Sequence, residues 1–308
     1  MIEHGVPEAE RLGSMPSGGD PSPQTPSRSR FAFRNVAALL LAGITLVLGY
    51  GVVQSWSVRL ERIVVRYQSL PPAARGLTVL QISDLHSRSS LWRNREVAEM
   101  LSGLSADLMV VTGDLRQAGG SPDVAVQGAS IVVDAVRERM PVYAVSGNHD
   151  LQPMMQQLSQ KGIVVLDNTV QNIRPGVWLA GWNPYLRRHP SLEAVLRSVP
   201  NDDFVILLAH SPDVVLESAS ARAGLILCGH THGGQMRLPG LRPWLTLTRL
   251  GTKYFHGLYP WGAGFLHINP GIGTTMIPLR MYAPPEITHL TLMDAGPETG
   301  RMTAMSDE

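Results

Sequence analysis

Gly229-His230-Thr231-His232-Gly233-Gly234-Gln235 follows directly on the apolar run Leu225-Ile226-Leu227-Cys228. A Gly-His-x-His turn after a β-type run is only a hint of metal when it stands alone. Four other segments share its arrangement. Asp84-Leu85-His86 follows the run 77–82, and Gly113-Asp114 follows the run 108–111. Gly147-Asn148-His149-Asp150 follows the run 142–145, and His210 follows the run 204–208. Five of the ten histidines fall in these motifs, so their placement is the chain's dominant pattern.

Outward from these motifs, β-rich runs near 63–67, 77–83, 107–112, 142–146, 163–166, 177–181, 204–209, 224–228, 265–269 and 287–292 read as strands. Residues 93–104, 124–139 and 191–199 read as helices, and Ser211-Pro212-Asp213 opens a further one with proline in its first turn. Such alternation predicts an α/β layered fold with largely buried sheets. Ligands of open α/β sheets bind beyond the carboxyl ends of the strands. All five motifs sit at such ends, so they are expected to meet at one site.

The residue types indicate the chemistry. Asp84, His86, Asp114, Asn148, His210, His230 and His232 offer carboxylate, amide oxygen and imidazole. Seven ligands exceed what one zinc-like ion takes and suit two divalent ions sharing a carboxylate, with manganese, iron, zinc and nickel all compatible. Two ions roughly 3.5–4 Å apart can hold a hydroxide and stabilise both oxygens of an in-line displacement at phosphorus. The chain therefore reads as a metal-dependent hydrolase of phosphate esters. Singly, an Asp after a strand is more often a cap, and Gly113 or Gly147 a turn glycine. Those ordinary readings do not explain five motifs of one kind at five strand ends.

The series Asp84-x-His86, Gly113-Asp114, Gly147-Asn148-His149-Asp150, His210 and Gly229-His230-x-His232 resembles the calcineurin-like metallophosphoesterases, over roughly residues 77–292. Gly233-Gly234-Gln235, Asn269-Pro270-Gly271-Ile272-Gly273-Thr274 and Pro284-Pro285-Glu286-Ile287 resemble a membrane-anchored bacterial branch of that superfamily. The branch includes phosphodiesterases and UDP-diacylglucosamine hydrolases of lipid A synthesis. The resemblance implies a sandwich of two mixed β-sheets flanked by helices. It implies a first metal on Asp84, His86 and His232, a second on Asn148, His210 and His230, and Asp114 as the bridge. His149 would contact the phosphate and protonate the leaving oxygen. One position departs from the pattern. Gln117 stands where many relatives carry an Asp that supports the catalytic His, and it brings no charge. Arg88 and Arg116 are candidates to clamp a substrate phosphate.

The 308 residues suffice for one large domain with extra segments. A net charge of +1 argues against a dedicated nucleic-acid surface. One cysteine, Cys228, allows no internal disulfide, leaves the compartment open and reads as a buried core thiol. Residues 1–33 are rich in Pro, Ser and Gly and are expected to be disordered. Residues 36–53 carry no charge; as a helix they span about 27 Å, close to the hydrocarbon thickness. A single transmembrane helix is expected over 34–56, the catalytic domain over 57–293 and a polar tail over 294–308. Arg28, Arg30 and Arg34 before the span balance Arg59, Arg62 and Arg66 after it, so sidedness is not determined. Trp244, Leu245, Leu247, Tyr254, Phe255 and Trp261 cluster after the last motif and could receive acyl chains of a lipid-linked substrate. Against this phosphoesterase reading stand a non-catalytic metal-binding scaffold, a nuclease and a protein phosphatase of the same superfamily.

Overall fold

Residues 28–244, 246–295 and 304–306 are described by the computed structural model. Residues 1–27, expected to be disordered, lie outside the described residues, as do Leu245 and most of the segment expected to be a polar tail.

The apolar run forms helix α1, Arg28–Trp56. Within its Phe33–Trp56 stretch, an 18-residue window has a mean hydropathy of 2.4 and only 6% of that window is buried. Its 24 residues would span about 36 Å, enough to cross a bilayer. Residues Met1–Leu46 and Val47–Glu308 form two separate units. The boundary falls inside α1, so the helix's last turns belong to the larger unit. Gln54 and Ser55 are buried there. The Gly51 carbonyl accepts from Arg280 N at 3.1 Å. Trp56 packs on Trp92 with ring centroids 4.8 Å apart.

Two sheets face each other in the larger unit. The first contains β1 (Arg59–Tyr67), β2 (Thr78–Ile82), β3 (Leu108–Thr112), β4 (Val142–Val145), β5 (Ile163–Val165), β12 (Glu286–Asp294) and β13 (Ala304–Ser306), in the order β13-β1-β12-β2-β3-β4-β5. The second contains β6 (Val170–Arg174), β7 (Val177–Trp182), β8 (Phe204–Ala209), β9 (Leu225–Cys228), β10 (Gly257–Trp261) and β11 (Gly264–Ile268), in the order β10-β11-β9-β8-β7-β6. Both are mixed. β2 through β5 run parallel, while β12 pairs antiparallel to β2. β7, β8, β9 and β11 run parallel, with β6 and β10 antiparallel at the edges.

Alternation of side chains along each strand builds three apolar layers. Ile206 and Leu208 of β8 pack between the sheets with Val79, Val110 and Leu290. Val205 and Leu207 face the other way, toward α5 (Leu192–Leu196), and share that layer with Cys228. On the first sheet, Leu80, Ile82, Met109 and Val111 meet α2 (Trp92–Ser102), α3 (Pro122–Asp134) and α4 (Gln152–Gln160). Each fully buried Leu or Val contributes about 1.5–3 kcal/mol to holding these layers. The expected α/β sandwich with helices on its outer faces is the observed one.

All ten expected strands are present. β6, β10 and β13 were not expected, nor was α4. The segment opened by Ser211-Pro212 is a five-residue 3-10 turn, Pro212–Leu216, rather than an α-helix. The Ser211 hydroxyl accepts from Asp213 N there, as its capping position predicts.

One buried polar chain crosses between the sheets. Gln81 Nε2 donates to Thr112 Oγ1 and to the Cys228 carbonyl. Its oxygen therefore faces His267 Nδ1 at 2.8 Å and must accept the imidazole proton. Burial pushes the His267 pKa down to about 4, against the opposing pull of Glu286. Above pH 6.5 the residue is neutral in both folded and unfolded chains and has no effect. As pH falls from about 6.5 to about 4, the unfolded chain takes up the proton and the folded one resists, so stability is lost. The loss is roughly 3 kcal/mol at pH 4. Urea unfolding of wild type and His267→Gln between pH 7 and pH 4 should show the wild type losing ground to the variant. Parallel curves would refute this origin of acid sensitivity.

Candidate metal centre

The C-terminal ends of β2, β3, β4, β8 and β9 carry Asp84 and His86, Asp114, the Gly147–Asp150 turn, His210, and His230 and His232 respectively. Short backbone bonds stitch these loops together. Asp84 N donates to the Gly113 carbonyl at 2.9 Å, and His86 N to the Asp114 carbonyl at 3.0 Å. Gly229 N donates to the His210 carbonyl at 2.9 Å, and Gly273 N to the Asp84 carbonyl at 2.7 Å.

The backbone is strained at this seam. Asp84, His86, Asp114, His230 and His232 have φ of 50°, 40°, 51°, 70° and 51°. They are five of the ten non-glycine residues in the left-handed region among the described residues. Such a conformation costs about 1–3 kcal/mol per residue and persists where the surroundings over-determine it, commonly at functional sites. Two glycines let the loops close in. A Cβ on Gly147 would lie 2.1 Å from Asp114 Oδ1, and one on Gly229 would lie 1.8 Å from Ser83 Oγ.

Six of the seven expected ligands gather in two buried groups: Asp84, His86 and His232 in one, Asp114, His210 and His230 in the other. The ligand atoms within each group lie within 4.8 Å of one another. Asp114 Oδ2 reaches both, at 3.2 Å from His210 Nε2 and 3.7 Å from His86 Nε2. That oxygen lies between the two groups. Its other oxygen accepts from His149 N at 2.9 Å.

The hydrogen bonds behind the imidazoles define which nitrogens face inward. His86 Nδ1 sits 3.0 Å from the Arg116 carbonyl, His210 Nδ1 2.7 Å from the Thr112 carbonyl, and His230 Nε2 3.0 Å from the Leu247 carbonyl. A carbonyl only accepts, so each of these nitrogens carries the proton. In the neutral rings, His86 Nε2, His210 Nε2 and His230 Nδ1 then point lone pairs into the groups. His86 Nε2 lies 3.1 Å from His232 Nε2, and His210 Nε2 lies 3.0 Å from His230 Nδ1. Asp84 Oδ1 and His232 Nδ1 are buried with no hydrogen-bond partner among the described residues. Converging lone pairs and carboxylates of this kind call for a cation, and the oxygen-plus-imidazole donor set fits divalent metal ions.

Burial alone would lower the His210 pKa, but the Asp114 carboxylate outweighs it and pushes the pKa up to about 10. Burial pushes His232 down to about 3. A divalent ion would compete with the proton that the Asp114 side of the site attracts.

Asn148, the seventh expected ligand, is exposed in the turn after β4, beside His149. The His149 side chain is 31% exposed, with Nε2 3.9 Å from Asp114 Oδ2. Gln117 Oε1 is buried and meets no donor among the described residues. Asp150 accepts from Gly147 N and Arg116 N. Its carboxyl is pushed up to about 6 by desolvation and by the neighbouring Asp114. Neither Gln117 nor Asp150 supports the His149 ring. The Arg116 guanidinium, an expected phosphate clamp, donates to the His149 and Gly120 carbonyls and so braces that loop. Arg88 is exposed, with only a 3.4 Å contact to Thr274 Oγ1.

The acyl-receiving cluster divides. Trp244 and Leu247 are 82% and 60% exposed, and their loop supplies the carbonyl that orients His230. Tyr254 and Trp261 pack against the apolar layer beside α5. Phe255 lies under the Arg237 guanidinium.

Arg280 was not singled out from the sequence. It is fully buried, and its guanidinium donates to the carbonyls of Ala283 at 2.9 Å, Pro270 at 2.9 Å and Gly271 at 3.1 Å. It also bonds the Gly273 carbonyl, and so holds the loop against Asp84 and His86. Burial lowers its pKa to about 9, with Asp84 and Glu286 pulling the other way. The signal was available: a single arginine inside the apolar segment Ile277-Pro278-Leu279-Arg280-Met281.

The family model of calcineurin-like phosphoesterases matches residues 77–234. A Bacillus subtilis protein described as the uncharacterized metallophosphoesterase YkuE is 28% identical over 283 residues, covering 86% of this chain and 97% of its own. A Danio rerio transmembrane protein with metallophosphoesterase domain is 27% identical over 309 residues, covering 92% of this chain and 68% of its own. The crystal structure of a dimetal phosphatase from Danio rerio superposes with a TM-score of 0.41 at 12% identity, over 64% of this chain and 88% of that one.

Proposed function

The chain belongs to the calcineurin-like phosphoesterase family, and from that premise we propose that it is a membrane-anchored hydrolase of phosphodiester or diphosphate bonds working with two divalent ions. The observation that carries the reading is the bridging position of Asp114 Oδ2 between two groups of inward-facing ligands. Two ions, when bound, supply Lewis-acid activation of water and neutralise the charge that builds on the phosphoryl oxygens.

The chain's own residues do the rest. Asp84, His86 and His232 would hold one ion, and Asn148, His210 and His230 the other. Asp114 spans both. The Arg116 strut and the bond from His149 N to Asp114 Oδ1 keep His149 beside the site. Its half-open ring is placed to give a proton to the leaving oxygen. A scaffold that only bound metal would not require this accessible imidazole.

A lipid-linked substrate of the UDP-diacylglucosamine type, and with it a place in lipid A synthesis, is supported by two features. One is the apolar helix running into the larger unit. The other is the exposed Trp244 and Leu247 on the loop that orients His230. The test uses the full chain in detergent, loaded with manganese. Chelator-sensitive hydrolysis of an aryl phosphodiester, with preference for an acylated over a deacylated sugar nucleotide, is the expected result. Equal turnover of the two sugar nucleotides would remove the lipid from the proposal. Absence of turnover with any metal, despite bound ions, would overturn the enzyme reading.

A further inference from the structure

A cavity of about 200 Å³ lies between metal-ligand residue His86 and the last turn of α1. One wall is the loop after β2, with Ser87 and Arg88; another is Thr274 in the segment that Arg280 pins down. The far wall is Trp56 of α1 and Trp92 of α2, packed against each other. Arg93 stacks on Trp92 with its guanidinium 5.1 Å from the ring centroid. It donates to the carbonyls of Ser55 and Ile272, which fixes the helix end to the loop beside Asp84. No Asp or Glu lines the cavity, and two guanidiniums do. Arg93 is engaged by carbonyls, whereas Arg88 keeps most of its donors unused. A cavity with this lining is electropositive, aromatic-walled and continuous with a candidate metal ligand.

We propose that this cavity is the subsite for the part of the substrate beyond the scissile bond, and that this part carries a second negative charge bound by Arg88, with its organic portion lying against Trp56 and Trp92. The inference rests on the phosphoesterase reading and narrows it. A diphosphate, or a diester bearing a second phosphate, fits the subsite better than a simple diester. It also makes the end of the apolar helix part of the active site. The helix then contributes to binding as well as attachment, because Ser55 and Trp56 close the cavity.

The test is a comparison of the full chain and two variants, Arg88→Ala and Trp56→Ala, in detergent with manganese. The substrates are an aryl phosphodiester with one charge and a sugar nucleotide with a diphosphate. Losing one charge-assisted contact should raise KM for the diphosphate about 10-fold in Arg88→Ala. KM for the aryl diester should rise far less, with metal content equal to wild type. Trp56→Ala should weaken binding of the sugar nucleotide and leave its Arg88 dependence in place. Equal KM changes on both substrates, or none, would overturn the subsite. A second arm involves no turnover. Methylenediphosphonate added to the metal-free chain should change tryptophan emission in wild type but not in Arg88→Ala. That difference would support the subsite even if neither substrate were hydrolysed, which separates its failure from failure of the phosphoesterase reading. Identical emission responses would count against it.

Discussion

Asp114→Asn is expected to lower kcat/KM by about 10³-fold or more and to empty both ligand groups of metal rather than one. Loss of a group that only orients a ligand already costs about 10–100-fold in metal affinity, and Asp114 does more than orient. Its Oδ2 lies within 4 Å of a ligand nitrogen in each group, His86 and His210. Asparagine is the right replacement because Asp114 has a φ of 51°, and Asn tolerates the left-handed region better than other non-glycine residues. Its amide oxygen can still accept from His149 N, which Asp114 Oδ1 does now at 2.9 Å. The variant therefore removes charge while keeping the turn. Metal per chain by elemental analysis and turnover of an aryl phosphodiester are the two readouts. A variant that kept one ion and lost the other would reassign Asp114 to a single group. Near-native metal and turnover would remove it from the bridge altogether.

The part of the molecule that could be read in advance is the part whose chemistry is local. A ligand at a strand end needs two signals within a few residues, an apolar run and a donor side chain. Asp84, Asp114, His210 and His230 supply both. The α/β layering follows from the same runs, because alternate residues of β8 serve opposite apolar layers, whereas the division into two mixed sheets was expected from the family resemblance alone. What escaped depends on partners distant in sequence. β10 contains Pro260 and reads as a break, yet it lies at a sheet edge, where a missing N–H is tolerated. β6 is largely polar and is also an edge strand. α4 buries only Met154, Met155 and Leu158 of its nine residues, too sparse a stripe to register. Arg116 looked like a free cation because nothing in the sequence shows that the His149 and Gly120 carbonyls lie within its reach. The docking of the last turns of α1 depends on Arg280 and Trp92, both far along the chain.

His149→Ala is expected to reduce kcat by about 10²–10⁴-fold, the usual contribution of a positioned general acid, with metal content unchanged. The second half of that expectation separates His149 from the ligands. Its Nε2 stands 3.9 Å from the nearest carboxylate oxygen of Asp114, and its side chain is 31% exposed, whereas the six grouped ligands are buried or nearly so. The size of the effect should depend on the substrate. A nitrophenolate leaves readily without a proton, whereas a sugar or alkyl alkoxide needs one. The loss should therefore be near the lower end for an aryl diester and near the upper end for an alkyl diester. Among the described residues no carboxylate stands behind the ring to sharpen its role: Gln117 Oε1 meets no donor, and both Asp150 oxygens are taken by backbone amides. The imidazole must therefore act with the support of the loop alone, through Arg116 on its carbonyl and Asp114 on its amide. Equal losses on aryl and alkyl substrates would mean that His149 binds the phosphate without delivering the proton. The leaving oxygen would then have to take its proton from water entering past the exposed face of that same ring.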